Sequence, residues 1–163
     1  MTAICFLDTN ILLYTNDEQD DAKRQLSQRL VAALTEARAC TVSLQVLNEY
    51  YNVAIGKPGQ AKQRSIYRDN VRRLHGLCTA PLDLGVFETA WSLQDITNYA
   101  WWDLMIIASA LKAGCRYLLT EDMMHGHELG ELTIVNPFFA DRTELFAKLG
   151  IEDPQHPFGD PWP

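Results

Sequence analysis

The stretch AICFLDTNILLY, residues 3–14, decides how this chain is read. Ala3 to Leu7 is unbroken apolar sequence, the pattern of a strand buried on both faces, and Ile11 to Tyr14 is apolar again. Between them Asp8, Thr9 and Asn10 set a carboxylate and two polar groups at the point where the chain leaves the strand. Either the acid only caps a turn, or it serves a site built at the strand's carboxyl end.

Working outward, short β-like runs alternate with longer helical ones, which predicts an α/β domain with a mainly parallel central sheet. The strand candidates are Ala3 to Leu7, Ala39 to Ser43, Thr79 to Leu82, Arg116 to Thr120 and Thr133 to Val135. Between them, Asp20 to Ala37 carries Leu26, Leu30, Val31, Ala33 and Leu34 at helical spacing. Further helices are expected over Leu44 to Ile55, closed by Gly56 and Pro58, and over Gln60 to Leu77. Two more should run from Val86 to Thr97 behind an Asp83 cap and from about Trp102 to Lys112, stopping at Gly114. Helices in excess of a minimal βαβ unit suggest a small helical lobe. The tail from Glu152 to Pro163, EDPQHPFGDPWP, is dense in proline and is expected to be extended or disordered. One domain, 1–151, is thus followed by a tail, 152–163.

A chain of 163 residues, 47% hydrophobic and 21% charged, is long enough for one proper core and too short for two. Its net charge of -7 argues against a broad basic surface for nucleic acid, but not against a local one. Cations do gather in KPGQAKQRSIYRDNVRR, which holds Lys57, Lys62, Arg64, Arg68, Arg72 and Arg73. This run reads equally as a phosphate-contacting surface and as a solvated helical face. Cys5, Cys40, Cys78 and Cys115 are widely spaced and form no CxxC pair, as expected of reduced thiols in a cytoplasmic protein. The N-terminus lacks a basic segment and the longest apolar run, LMIIASAL, is short, so neither secretion nor membrane insertion is expected.

In parallel sheets the loops after the strands share one edge. Asp8 follows the first strand and Asp122, in YLLTEDMMHG, follows the fourth. Glu49 lies on a helix that begins soon after the second strand, with Gln45 on the same face one turn earlier. Asp103 opens the apolar helix that feeds the fourth strand. Each acid alone has an ordinary structural reading. Four at one edge repel each other by about 1 kcal/mol or more per close pair, which a bound cation would offset. Oxygen-only ligands favour Mg²⁺ or Mn²⁺ over zinc. A cation so held suits phosphodiester hydrolysis, and Thr9, Asn10 and Thr120 are placed to orient the carboxylates or a water.

Two other enzyme-like readings fit poorly. A haloacid-dehalogenase-like phosphatase needs a second aspartate where Asn10 stands, and a receiver domain needs an acid pair and a lysine that cannot be assigned. A non-catalytic RNA- or protein-binding module is the stronger rival.

The stretches FLDTNILLY, LNEYY, WWDLMIIASAL, YLLTEDMMHG and LTIVNPF together resemble the PIN-domain ribonucleases, and among them the VapC-type toxins of bacterial toxin–antitoxin pairs. Their order and spacing cover nearly all of Met1 to Phe139. The resemblance implies a three-layer α/β/α fold and an acidic Mg²⁺ or Mn²⁺ site on Asp8, Glu49, Asp103 and Asp122. It also implies an RNA substrate, a homodimer, and an antitoxin that occupies the active-site groove. Glu121 either shares the site or points outward, and Asp122, two residues beyond Thr120, matches the family's spacing.

Two weaker signals remain. His125 and His127 form an HxH in a glycine-flanked loop, read as a surface loop because further zinc ligands are lacking. Trp101 and Trp102 read as core or interface, with base stacking as the functional alternative.

Overall fold

A computed structural model describes residues 4–154. Its centre is a five-stranded sheet in the order β2-β1-β3-β5-β4, built from β1 (Cys5–Leu7), β2 (Cys40–Thr41), β3 (Tyr117–Leu119), β4 (Glu128–Leu129) and β5 (Leu132–Val135). All pairings are parallel except that of β4 with β5. Cys5 sits opposite both Cys40 and Tyr117, and Leu7 lies opposite Leu119. Every residue of β1 and β3 is buried, as the uninterrupted apolar sequence requires of inner parallel strands.

Helices cover both faces, giving the three-layer α/β/α arrangement: α1 (Thr9–Tyr14), α2 (Asp21–Glu36), α3 (Leu44–Gly56), α4 (Arg64–Leu74), α5 (Leu84–Gln94), α6 (Trp101–Lys112) and α7 (Arg142–Leu149). Phe6, Leu7, Leu30, Leu34, Leu104, Ile107, Leu118 and Leu132 are fully buried in one continuous core. The chain leaves β1 toward β2 on one side and returns to β3 on the other. The carboxyl ends of β1 and β3 therefore flank the sheet's topological switch point, where open α/β sheets form their ligand crevice.

The structure departs from the sequence reading at several places. Thr79–Leu82 is not a strand. Its neighbourhood borders the end of β2 through Val42 N–H donating to Leu77 O (3.1 Å) and Ala80 N–H donating to Val42 O (3.3 Å), but Pro81 has no N–H with which to continue a ladder. The fifth strand is instead β4, which folds back on β5. The expected helix from Gln60 to Leu77 is α4 between two 3₁₀ turns, Gln60–Gln63 and His75–Leu77. Two helices, α1 and α7, lie outside the elements that periodicity predicts. Of the expected tail, Asp153 is anchored by Arg29 at 3.3 Å and by Arg142, while 155–163 lie outside the described residues. The four cysteines are free, and burial holds the Cys5, Cys40 and Cys115 thiols above their ordinary range. No helix among the described residues is long and apolar enough to cross a membrane.

Candidate active site

Asp8 ends β1 and begins α1, and its two oxygens divide those duties. Its backbone N–H continues the ladder to Leu119 O (3.1 Å). One carboxylate oxygen accepts from Thr9 N–H at 2.7 Å, capping α1, whereas the other accepts from the Thr120 hydroxyl at 2.8 Å and from the Asn10 amide at 3.3 Å. The capping interpretation is thus true of half the carboxylate. With 6% of its surface exposed, Asp8 is pushed up to about 6 by burial. Hydrogen bonds from Thr120 and Thr9 oppose that shift, and the charges of Glu49 and Asp122 add to it.

The other three acids arrive from separate elements. Glu49, midway along α3, accepts from the Thr9 hydroxyl at 2.8 Å. One turn earlier, buried Gln45 donates to Trp102 O at 3.1 Å and so ties α3 to the first turn of α6. Asp103 occupies that turn, where a helix favours an acid. Burial, then the charges of Asp122 and Glu49, raise it above the ordinary aspartate range. Asp122 follows β3, with its N–H on the Thr120 hydroxyl (3.2 Å) and its carboxylate on the Asn10 amide (3.0 Å).

All four carboxylates line one cavity of about 250 Å³, together with Thr9 and Asn10 and the apolar Leu13, Val53, Ile106 and Trp102. A larger cavity of about 650 Å³ lies beside it between α1, α3 and α4, sharing Leu13 but none of the four acids. The smaller one is the candidate site, because the four acids line it. Among the described residues none of the four acids forms an ion pair. No three His, Cys, Asp or Glu side chains there stand as a ready-made metal cluster. The donor set nevertheless suits a hard divalent cation: it is all oxygen, no lysine or arginine lines the cavity, and burial, with mutual repulsion added, raises two of its members.

Thr9, Asn10 and Thr120 crosslink the acids. Glu121 turns the other way, accepting from the Tyr14 hydroxyl and from Lys23 Nζ (2.7 Å). Lys23 also lies 4.8 Å from the Tyr14 ring centroid and 5.0 Å from that of Phe138. No sequence signal marks this partner set, since Lys23 sits on an ordinary amphipathic helix 98 residues from Glu121. The basic residues Lys57, Lys62, Arg64, Arg68, Arg72 and Arg73 are all exposed. Arg72 pairs with Asp69, Arg73 with Asn70, and Arg68 reaches the Tyr51 hydroxyl at 3.4 Å. Both loop histidines have protein partners: His125 Nδ1 accepts from Asn136 N–H (3.0 Å), and His127 Nδ1 shares a hydrogen bond with the Tyr99 hydroxyl (2.7 Å).

The four acids thus wall a crevice at the switch point of a five-stranded α/β/α sheet. The chain belongs to the PIN domain family, whose profile matches residues 5–125, a span that takes in all four carboxylates. Among curated proteins none matches. Among solved structures, FitAcB from Neisseria gonorrhoeae is similar at a TM-score of 0.60 and 16% identity, over 84% of this chain and 100% of that one. VapC20 from Mycobacterium tuberculosis, described as a sarcin–ricin loop cleaving toxin, gives a TM-score of 0.54 at 19% identity, over 70% of this chain and 86% of that one. VapBC2 from Rickettsia felis, bound to a DNA fragment from its promoter, gives 0.52 at 17% identity, over 80% and 96%. At these identities the likeness is one of fold.

Proposed function

We propose that this chain is a metal-dependent endoribonuclease that hydrolyses RNA phosphodiester bonds, and that it is the toxin of a toxin–antitoxin pair. The observation that carries the reading is the meeting of Asp8, Glu49, Asp103 and Asp122, from four separate elements, in one cavity without a protein cation among the described residues. These residues would hold Mg²⁺ or Mn²⁺. A divalent ion bound there supplies a Lewis acid that polarises a phosphodiester oxygen and lowers the pKa of a water. Thr9 fixes Glu49, Asn10 spaces Asp8 from Asp122, and Thr120 orients Asp8 through its hydroxyl. Asp103 makes no side-chain hydrogen bond among the described residues, so its carboxylate is the one least held by protein donors and most open to a cation or to an attacking water.

The toxin reading, with an antitoxin partner and a homodimer, draws on family membership and on the toxin–antitoxin neighbours in the fold. A cytoplasmic location accords with four free cysteines. Residues 1–151 form the nuclease domain in this reading, and 152–163 its tail.

Cleavage of a mixed RNA pool with Mg²⁺, Mn²⁺ or EDTA tests it, comparing wild type with Asp8→Asn and Asp103→Asn. Metal-dependent products from wild type alone are expected, with each variant on the order of 100-fold slower or more. Asp103→Asn should leave the metal-free protein as stable as wild type or more so. If wild type cuts nothing under any metal, or if Asp103→Asn unfolds the protein while activity per folded molecule persists, the acids are structural and the chain is a binding module.

A further inference from the structure

The acid cavity has a second half that the hydrolytic reading leaves unused. Adjacent tryptophans at the start of α6 have opposite fates. Trp101 turns into the protein and packs on Phe87, with ring centroids 5.8 Å apart. Trp102 stays 65% exposed and lines the cavity beside Asp103. An indole left so open loses much of the burial free energy that normally places tryptophan in cores. Its backbone is not loose, however, since the buried Gln45 amide holds the Trp102 carbonyl at 3.1 Å. Leu13, Val53 and Ile106 add to the apolar lining of the same cavity.

A cavity lined both by carboxylates for a cation and by an exposed aromatic side chain matches the two parts of a nucleotide, phosphate and base. Accordingly, we infer that Trp102 is a stacking platform for the base of an unpaired nucleotide whose phosphate lies against the acids. The inference rests on the nuclease reading and deepens it. Stacking is available only to a base outside a duplex, and every base offers a π face, so the platform selects single-stranded or flipped-out nucleotides with little regard to sequence. A protein partner would also cover an exposed tryptophan. The observation favouring RNA is that this indole shares its cavity with the candidate cation ligands.

The test uses the full chain carrying Asp8→Asn, so that binding is read without cleavage. The probes are fluorescein-labelled oligoadenylate 8-mers, intact or with one abasic position moved along the strand, followed by anisotropy. Trp102→Ala should weaken binding of the intact 8-mer about tenfold, and Trp102→Phe should recover most of it. At one position, loss of the base should weaken binding to the parent about tenfold and leave Trp102→Ala unaffected. Equal abasic profiles for parent and Trp102→Ala overturn the platform, as does an absence of parent binding. A shift from dimer to monomer in sedimentation of Trp102→Ala, with RNA binding intact, overturns it in favour of a protein interface. Cleavage by the otherwise wild-type chain is scored separately. Metal-dependent cleavage with equal abasic profiles keeps the nuclease and removes the platform. Base-dependent binding through Trp102 without cleavage under any metal does the reverse.

Discussion

The side-chain amide of Asn10 donates to the carboxylate of Asp122 across 3.0 Å, joining the loop after β1 to the loop after β3. The same nitrogen lies 3.3 Å from Asp8 and 3.2 Å from the Thr120 hydroxyl. Its two hydrogens are therefore shared among three acceptors. A neutral donor between two acids relieves part of their repulsion and fixes their separation. Asn10→Asp replaces that donor with a fifth carboxylate. Metal-free stability should fall by about 1–3 kcal/mol, with part of the loss recovered in millimolar Mg²⁺. Urea denaturation with and without Mg²⁺ measures both quantities. An unchanged midpoint in the absence of metal would remove Asn10 from this role.

Glu121 gives the converse prediction. Its hydrogen bonds engage Tyr14 and Lys23 rather than the acid cavity, and its hydrogen bond to Lys23 holds that ammonium above the ordinary lysine range. Glu121→Gln should leave RNA cleavage within about threefold of wild type and lower stability by about 0.5–1 kcal/mol, as expected for a partly exposed pair. A loss of cleavage on the order of 100-fold in a folded variant would bring Glu121 into the site.

Much of this arrangement was legible in the sequence, and the reasons are local. The apolar run Ala3 to Leu7, and the apolar Tyr117 to Leu119 within Arg116 to Thr120, marked the inner parallel strands that β1 and β3 became. Acids directly after such runs must lie at the sheet's carboxyl edge. Helix α1 was hidden because Asp8, Thr9 and Asn10 spell a turn as readily as a cap and first turn, and only the contacts to Glu49 and Asp122 separate the two. Strand β4 has two residues, Glu128 exposed and Leu129 buried, too few to show a period. Thr79 to Leu82 had strand composition, but the missing N–H of Pro81 ended the ladder. The Lys23–Glu121 contact was invisible because it depends on how α2 lies against the loop after β3, which no short window encodes.

The exposed cations give a prediction about salt. Lys57 borders the larger cavity, while Lys62, Arg64 and Arg68 stand on the turn and helix next to it. If this face carries RNA, replacing Lys62, Arg64 and Arg68 together by glutamine should raise KM several-fold with kcat nearly unchanged. It should also flatten the dependence of log KM on log salt by roughly two units of slope, since each single-strand phosphate no longer neutralised accounts for about 0.7. An unchanged salt slope would return the run to the role of a solvated helical face.

The buried acid after β1 sets how stability depends on pH. Asp8 titrates near 6 in the folded chain against an ordinary 3.8. Between those values the folded state holds a proton that the unfolded state has released, so metal-free stability rises as pH falls. From pH 7 to pH 5 the gain assigned to Asp8 should be on the order of 1 kcal/mol, and the raised Asp103 acts in the same direction. Asp8→Asn should remove the larger part of that slope. A divalent ion prefers the ionised carboxylates, so stabilisation by Mg²⁺ should be large at pH 7 and fade below about 6 as protons compete for the same oxygens. Melting curves at pH 5, 6 and 7, with and without Mg²⁺, resolve the two opposed trends. A metal-free slope that survives Asp8→Asn would mean that Asp8 is not the titrating group, and equal stabilisation by Mg²⁺ at pH 5 and pH 7 would mean that the ion does not bind the titrating carboxylates.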